Sequence, residues 1–319
     1  MLKKRICVVG AGNWGKNHIK TLHKLNSLGA IVDRDEKLLN VFKKKYPETT
    51  IYLNLEDAFK GHYDGFIVAT PAETHFKIAK TIILKKKNLL VEKPLTLSAQ
   101  DALELVHLAK ENDVSLMVGH VLLFHPAINK IKEIIESGRI GKLQYLYSNR
   151  LNLGKVRTEE NVFWSLAPHD ISIFQFLTNS YPSKIKATGS TFLQKGIPDS
   201  TLTHLEYENG INGHIFVSWL HPFKEHRLVV IGSEAMITFE DSLLDKPLTL
   251  HTKKIDLVNG IPEETNGPKE LITYEKSFPL TVELEYFIRH LDNDRPSLAN
   301  GENGLDVVKI LVDASKQLK

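Results

Sequence analysis

The sequence predicts a two-domain α/β protein, with a doubly wound parallel sheet in its N-terminal part. Its C-terminal part is predicted as an α+β domain built on a large, mainly antiparallel open sheet. Three observations support this. The chain has 319 residues, too many for one small domain. Short apolar runs alternate with helical patterns in its first third, and strand-like runs dominate from Lys142 onward. We place the two domains at 1–121 and 122–319.

The predicted strands of the first domain are short uninterrupted runs of Val, Ile and Leu, bounded by Gly, Pro, Asp or Asn. Such runs are typical of parallel strands that are buried on both faces. They are Ile6–Val9, Ala30–Val32, Gly65–Ala69, Asn88–Val91 and Leu116–Gly119. Between them apolar residues recur at helical spacing, and Ser98 can cap one helix with Asp101 three residues later. This alternation predicts the doubly wound sheet.

The second domain is predicted to begin with a helix from Pro126 to about Gly138. Strand-like runs follow at Leu143–Ser148, Lys184–Thr191, Thr201–Tyr207, Gly213–Trp219, Arg227–Ile231 and Met236–Phe239. Helices are predicted at Asn161–Thr178, Leu280–Leu291 and Gly304–Leu318. The polar, turn-rich tract from Asp256 to Glu270 is interpreted as a surface loop.

Composition excludes several functional classes. The formal net charge of +3 is too small to indicate a nucleic-acid or anionic-membrane partner. The single cysteine, Cys7, lies in an apolar run and cannot form an internal disulfide, which fits a reducing compartment. The N-terminus lacks the apolar stretch of a signal peptide, so we expect a cytoplasmic protein. The histidines show no metal-ligand spacing, and no metal is expected.

A glycine motif follows the first predicted strand directly. Gly10, Gly12 and Gly15 match G-x-G-x-x-G, with Asn13 and Trp14 inside the motif and a helical pattern after it. In a dinucleotide-binding turn the first glycine allows the sharp bend, the second lets the backbone approach the pyrophosphate, and the third lets helix and strand pack closely. An ordinary tight turn is the alternative, but the strand, the helix and a later acidic residue favour dinucleotide binding.

Asp33 is that acidic residue, and it closes the next predicted strand. A carboxylate there accepts hydrogen bonds from the ribose hydroxyls and repels a 2′-phosphate, which favours NAD over NADP. Arg34 beside it could shield such a phosphate or stack on adenine. The alternative is that Asp33 only begins a turn.

Two further residues could carry chemistry. Lys93 follows a predicted central strand, where ligands of open α/β sheets bind, and could stabilise developing negative charge on a substrate hydroxyl. His169 lies in a largely apolar helical stretch and could exchange a proton near neutral pH. A solvated lysine and a core histidine are the alternatives, and the residues alone leave the choice open for His169.

Together the glycine motif, Ala69–His75, Glu92-Lys93-Pro94 and the Val118-Gly119-His120 segment resemble the Gfo/Idh/MocA oxidoreductase family. The resemblance covers essentially the whole chain. It implies a Rossmann domain, followed by a domain whose open sheet often mediates homo-oligomer formation, so a dimer or tetramer is expected.

The resemblance also implies roles for individual residues. Lys93 and His169 match the catalytic pair of the family. The implied cofactor contacts, beyond the glycine motif, Asp33, Arg34 and Lys93, are Thr70, Pro71, His75, Glu92 and His120. Ser165 occupies the position, four residues before the histidine, where many members carry aspartate. This departure disfavours inositol as the substrate. A Lys–His pair without the aspartate resembles the nucleotide-sugar branch, such as the UDP-N-acetylglucosaminuronate 3-dehydrogenases.

We therefore hypothesise an NAD-dependent sugar oxidoreductase that oxidises the C3 hydroxyl of a UDP-linked N-acetylated hexuronate. Arg150, Arg157 and Lys224 could anchor a carboxylate or diphosphate by charge, although each could also be a surface cation. Further candidate substrate contacts are Trp164, Ser165 and Asp170. The alternatives are a ketoreductase or free-sugar or polyol dehydrogenase of the same family, and a regulator that senses NAD or a sugar without catalysis.

Overall fold

The computed structural model describes residues 4–292 and 295–318. They form two compact units, one comprising the chain up to Phe124 together with Ser277–Lys309, the other His125–Lys276 and the chain from Ile310. The predicted outer limits, residues 1 and 319, lie outside the described residues. The compact units differ from the predicted division in one respect, because residues 277–309 belong to the first unit. A boundary near residue 121 otherwise remains our proposal for the domains.

The first unit contains a six-stranded parallel sheet in the order β3-β2-β1-β4-β5-β6. Its strands are β1 (Ile6–Val9), β2 (Leu28–Val32), β3 (Thr50–Tyr52), β4 (Gly65–Val68), β5 (Asn88–Glu92) and β6 (Leu116–Gly119). Its helices are α1 (Gly15–Lys24), α2 (Glu36–Lys45), α3 (Leu55–Ala58), α4 (His75–Leu84), α5 (Ala99–Glu111) and α8 (Pro279–Arg289). This strand order is that of a Rossmann fold, and it confirms the predicted doubly wound sheet.

Burial explains why the strands of the first unit could be predicted. All four residues of β1, β4 and β6 are buried, as expected for strands covered on both faces. Ser98 caps α5 by accepting a hydrogen bond from the backbone N–H of Asp101, as its spacing predicts. The edge strand β3 was not predicted, because it has only three residues and all are half-buried.

The second unit contains an eight-stranded sheet in the order β14-β13-β12-β11-β7-β10-β9-β8. Its strands are β7 (Leu143–Leu151), β8 (Pro182–Ser190), β9 (Ser200–Tyr207), β10 (Asn212–Ser218), β11 (Glu225–Gly232), β12 (Met236–Glu240), β13 (Leu248–Val258) and β14 (Ile261–Ile272). Its helices are α6 (Pro126–Glu136) and α7 (Val162–Thr178), and α9 (Gly301–Ser315) crosses the division between the units. Neighbouring strands are antiparallel except β7 and β10, which confirms the predicted mainly antiparallel sheet.

One element was predicted wrongly. The tract from Asp256 to Glu270, interpreted as a loop, contains the last residues of β13, the hairpin turn and all but the last two residues of β14. The hairpin turns at Asn259 and Gly260, whose φ angles are +52° and +80°. These are the angles that an Asn-Gly type I′ turn requires. The prediction failed because both faces of this ribbon are largely exposed, so no apolar residue has to alternate with a polar one.

Candidate active site

The glycine turn between β1 and α1 has the packing that a dinucleotide-binding turn needs. Gly10 has φ of +94°, and a Cβ there would lie 2.8 Å from the backbone of Ala69. A Cβ on Gly15 would lie 1.9 Å from the carbonyl oxygen of Gly10. A Cβ on Gly12 would meet nothing within 4 Å, so this position opens onto space that a pyrophosphate can fill. Asn13 and Trp14 are exposed beside it, at the N-terminus of α1.

Asp33 connects the end of β2 to this turn. Its Oδ2 accepts a hydrogen bond of 2.7 Å from the backbone N–H of Ala11, and its Oδ1 accepts one of 3.0 Å from the N–H of Asp35. Each carboxylate oxygen has a second lone pair that a ribose hydroxyl can use. Arg34 follows it and is exposed.

A cleft of about 450 Å³ opens along the glycine turn. It is lined by Val9, Gly10, Gly12, Val32, Asp33, Arg34, Leu53, Asn54, Leu55, Ala69, Thr70, Pro71, Thr74 and Ile78. Six predicted cofactor residues are therefore brought together here: the two glycines, Asp33, Arg34, Thr70 and Pro71. Open space at Gly12, apolar walls and an acidic group at the end of β2 fit the pyrophosphate, adenine and ribose of NAD.

Lys93 lies directly after β5, at the carboxyl end of the parallel sheet, and is half-buried. The Lys93–Pro94 peptide bond is cis. His75 fixes the following carbonyl, since its Nδ1 lies 2.8 Å from the carbonyl oxygen of Pro94 and its Nε2 lies 2.9 Å from that of Thr70. His75 is thus buried between two backbone segments, and as a cofactor contact it remains only a prediction.

His120 follows β6 and is 1% exposed. Burial, reinforced by the positive charge of Lys93, lowers its pKa to about 3, so the imidazole is neutral. Neither ring nitrogen has a hydrogen-bond partner among the described residues. His120 is therefore a neutral group in the electrostatic field of Lys93.

Glu92 was expected to contact the cofactor, but its side chain is 10% exposed and contacts protein groups. Its Oε1 lies 2.6 Å from Nε2 of His18 on α1, and its Oε2 accepts a 3.2 Å hydrogen bond from the backbone N–H of Lys93. Sequence reasoning assigned His18 no functional role.

His169 lies in the middle of α7, and Ser165 is four residues before it, on the same face of the helix. The next residue, Asp170, is buried and faces β7. Its two carboxylate oxygens accept hydrogen bonds of 2.7 and 3.0 Å from Nε and Nη2 of Arg150. Burial opposes the guanidinium charge, but Asp170 outweighs it and raises the pKa of Arg150. Because this buried pair is mutually satisfied, we do not retain Arg150 or Asp170 as substrate anchors.

The remaining substrate candidates differ in their availability. Arg157 is exposed on the loop after β7, and Lys224 is exposed on the loop between β10 and β11. Because β7 and β10 are parallel neighbours, both loops leave the same end of the sheet. Trp164 instead donates its indole N–H to Oγ of Ser315 at 2.8 Å.

Sequence reasoning missed one buried carboxylate that accepts several hydrogen bonds. Asp199 is fully buried at this end of the sheet and accepts hydrogen bonds from the backbone N–H groups of Phe192 and Leu193. It also accepts one from the indole of Trp219. Burial alone would raise its pKa, but these donors outweigh it and the pKa is lowered. A single aspartate in a turn-rich stretch carries no sequence signal of this kind.

The two catalytic candidates lie in different compact units, Lys93 in the first and His169 in the second. Among the described residues, no group of His, Cys, Asp and Glu side chains could hold a metal ion. None of the helices in the described ranges is long and apolar enough to span a membrane.

Comparison with known proteins identifies relatives along the whole chain. Residues 4–120 match the oxidoreductase family with an NAD-binding Rossmann fold, and residues 128–238 match the GFO/IDH/MocA C-terminal domain. A UDP-N-acetylglucosamine 3-dehydrogenase of Acidithiobacillus ferrooxidans is 25% identical, over 99% of this chain and 100% of its own. A myo-inositol 2-dehydrogenase of Thermotoga maritima is 24% identical over 99% of this chain and 96% of its own.

Solved structures share the fold. The A. ferrooxidans enzyme superposes with a TM-score of 0.87 at 22% identity, covering 100% of this chain and 98% of its own. The WlbA dehydrogenase of Bordetella pertussis, solved with NADH and UDP-GlcNAcA, gives a TM-score of 0.80 at 19% identity. The match covers 99% of this chain and 96% of WlbA.

Proposed function

Since the chain belongs to the Gfo/Idh/MocA family of NAD-binding oxidoreductases, we propose that it oxidises the C3 hydroxyl of a UDP-linked N-acetylated hexuronate with NAD. The choice of substrate class is supported by the full-length similarity to an enzyme named as a UDP-N-acetylglucosamine 3-dehydrogenase. It supports both the nucleotide sugar and the ring position.

Two features support a nucleotide sugar over a free polyol. Ser165 stands on the His169 face of α7, where many polyol-oxidising members carry an aspartate. Arg157 and Lys224 are exposed at one end of the second sheet and offer positive charge to a diphosphate or a uronate carboxylate. These two cations are the reason for proposing a uronate, which carries a carboxylate, rather than a hexose without one.

In the proposed reaction bound NAD would supply the hydride acceptor for C3. His169 takes the proton of the C3 hydroxyl, so that the carbon and oxygen together lose H⁻ and H⁺ and form the ketone. Lys93 donates a hydrogen bond to the same oxygen and stabilises the negative charge that develops there. Gly10, Gly12 and Asp33 would hold the dinucleotide by its pyrophosphate and ribose.

The substrate is tested by following nicotinamide reduction with UDP-N-acetylglucosaminuronate, UDP-N-acetylglucosamine, the corresponding free sugars and myo-inositol. We expect turnover with the UDP-uronate and at most weak turnover with the others. Preference for UDP-N-acetylglucosamine, whose sugar ring carries no carboxylate, would keep the reaction and overturn the choice of the uronate. Preference for myo-inositol would favour the polyol dehydrogenase that the Thermotoga relative suggests.

Catalytic roles are tested with Lys93→Met and His169→Asn. Each should lower kcat by about 10²–10⁴-fold, the usual contribution of a positioned acid–base or charge-stabilising group, with NAD affinity unchanged. Because both residues act on one hydroxyl, the double variant should lose much less than the product of the two effects. Near-normal rates in both single variants would contradict the assignment. NAD binding without turnover on any sugar or polyol would favour a sensing regulator.

A further inference from the structure

The turn that carries Lys93 is held by a buried carboxylate. We propose that Glu92 is a positioning residue for Lys93, acting through paired contacts with His18 and the Lys93 backbone, and not a cofactor contact. This inference rests on the proposed function, in which Lys93 acts on substrate. The contacts themselves lie within the first compact unit.

Glu92 has two oxygens and uses each for a different element. Oε1 faces Nε2 of His18 at 2.6 Å, and His18 is 0% exposed in α1, one turn after Gly15. Oε2 accepts from the N–H of Lys93 at 3.2 Å. The same carboxylate thus joins the helix whose N-terminus faces the dinucleotide to the peptide that carries the catalytic lysine.

The neighbouring strand is shaped to make room for this carboxylate. Gly119 pairs with Glu92 across β5 and β6. A Cβ on Gly119 would lie 2.9 Å from Oε2 and 3.0 Å from Cδ of Glu92. Such a contact is too short for real Cβ atoms, so glycine at 119 is what allows the carboxylate to occupy its place.

A second acidic residue, Glu283 of α8, lies close enough to Glu92 to interact with it electrostatically. It is 0% exposed and has no hydrogen-bond partner among the described residues. Burial, and then the nearby Glu92, raise the pKa of Glu283, which favours the neutral form of its carboxyl group. Both hydrogen bonds belong to Glu92, and Glu283, a neighbouring carboxyl group without such contacts, provides a matched control.

The geometry makes Glu92→Gln informative. A carboxylate accepts from two donors, whereas an amide has one acceptor oxygen and turns its NH₂ towards the other donor. Gly119→Ala should disturb the same hydrogen bonds without changing any charge, because the added methyl group displaces the Glu92 carboxylate. In Glu283→Gln a neutral acid becomes a neutral amide of the same shape, so the lysine turn is undisturbed.

Three measurements on the full chain test the proposal. In Glu92→Gln and Gly119→Ala we expect kcat to fall about tenfold or more, because misplacement of a catalytic group by a fraction of an ångström is costly. The Kd for NADH, measured by fluorescence, should change less than about threefold. Hydrogen exchange at the Lys93 amide, measured without cofactor, should become faster. Glu283→Gln should match the parent chain in all three.

The opposite pattern would overturn the proposal. A weakened Kd for NADH with kcat unchanged at saturating NAD would make Glu92 a cofactor contact. Unchanged exchange and kcat in the folded variants would remove its role altogether. Should Glu92→Gln not fold, Gly119→Ala carries the same comparison. If the parent chain turns over none of the sugars, the proposed function fails, while exchange at Lys93 and the Kd still decide what Glu92 holds.

Discussion

Gly12 and Gly15 belong to one motif, but different atoms surround them. The space beside Gly12 contains no protein atom within 4 Å, whereas Gly15 lies against the carbonyl of Gly10. Both glycines fit the G-x-G-x-x-G spacing equally well. Only the atoms packed around each one distinguish a ligand-binding glycine from a structural one. The distinction has measurable consequences.

We predict that Gly12→Ala leaves the free energy of unfolding within about 0.5–1 kcal/mol of the parent value, since nothing in the protein is displaced. Its added methyl group occupies the space offered to the pyrophosphate, so the Kd for NAD should rise at least about tenfold. Calorimetric titration and urea unfolding measure the two effects.

The matched control is Gly15→Ala, whose Cβ would lie 1.9 Å from the carbonyl oxygen of Gly10. It should destabilise the chain by about 1–3 kcal/mol or more, because the helix must move away from the strand. Equal effects of the two substitutions on stability would show that the turn is not packed as described.

At the same scale, the residues that the sequence proposes as cofactor contacts differ in where their side chains lie. Gly10, Asp33 and Thr70 do line the cleft. Glu92, at the end of β5, and His75, at the start of α4, instead contact other parts of the protein. Direction depends on partners far along the chain, such as His18, which is 74 residues away from Glu92. No local pattern contains that information.

At the scale of elements, α7 is attached to the sheet by the Arg150–Asp170 pair. Both side chains are at most 10% exposed. Removing one partner of a buried ion pair leaves the other charge uncompensated, which costs about 3–5 kcal/mol. We therefore predict that Arg150→Met and Asp170→Asn each lower the free energy of unfolding by roughly that amount.

The exposed Lys316–Asp313 pair of the same unit, whose side chains are 69% and 47% exposed, gives a control. Asp313→Asn should change stability by less than about 0.5 kcal/mol. Urea midpoints measure both. If Asp170→Asn behaved like Asp313→Asn, the Arg150 pair would not be what fixes α7, and its role beside His169 would need another explanation.

The β13–β14 hairpin shows why a polar tract can still form strands. Its proximal part pairs with β12 through Leu248–His251, whereas the part from Lys253 to Asn266 pairs, among the described residues, within the hairpin alone. A two-stranded ribbon is marginally stable in water. We predict that backbone amides in the distal part exchange much faster than those of residues 248–251. Equal protection by mass spectrometry would indicate that another surface covers the ribbon.

At the scale of the whole molecule, the first compact unit is built from two separate segments of the chain. Helix α8 lies within the part of the sequence that strand patterns assigned to the second domain, yet it packs against α1 and residues 121–124 of the first unit. Amphipathic spacing predicts that a helix buries one face, but it does not say which sheet or helix covers that face. The fold class was therefore predictable, and the return of the chain to the first unit was not.

Each compact unit also contains a histidine that is kept neutral by its surroundings, which predicts how stability depends on pH. Burial, with Lys93 nearby, lowers the pKa of His120 to about 3. Burial, with Arg150 nearby, lowers that of His226 to about 3. In the unfolded chain a histidine titrates near pH 6.5. Between these values the unfolded state binds more protons than the native state, so stability falls as the pH is lowered below about 6.5.

Each such histidine contributes a slope of at most about 1.4 kcal/mol per pH unit, and less where solvent screens the site. We predict that His120→Gln and His226→Gln each flatten the decrease in the free energy of unfolding between pH 7 and pH 5, because glutamine does not titrate. His62→Gln, at an exposed position, should leave the slope unchanged. Urea unfolding at several pH values measures this. Parallel curves for all three variants would mean that neither imidazole remains neutral in the native protein, and that acid sensitivity arises from the carboxylates.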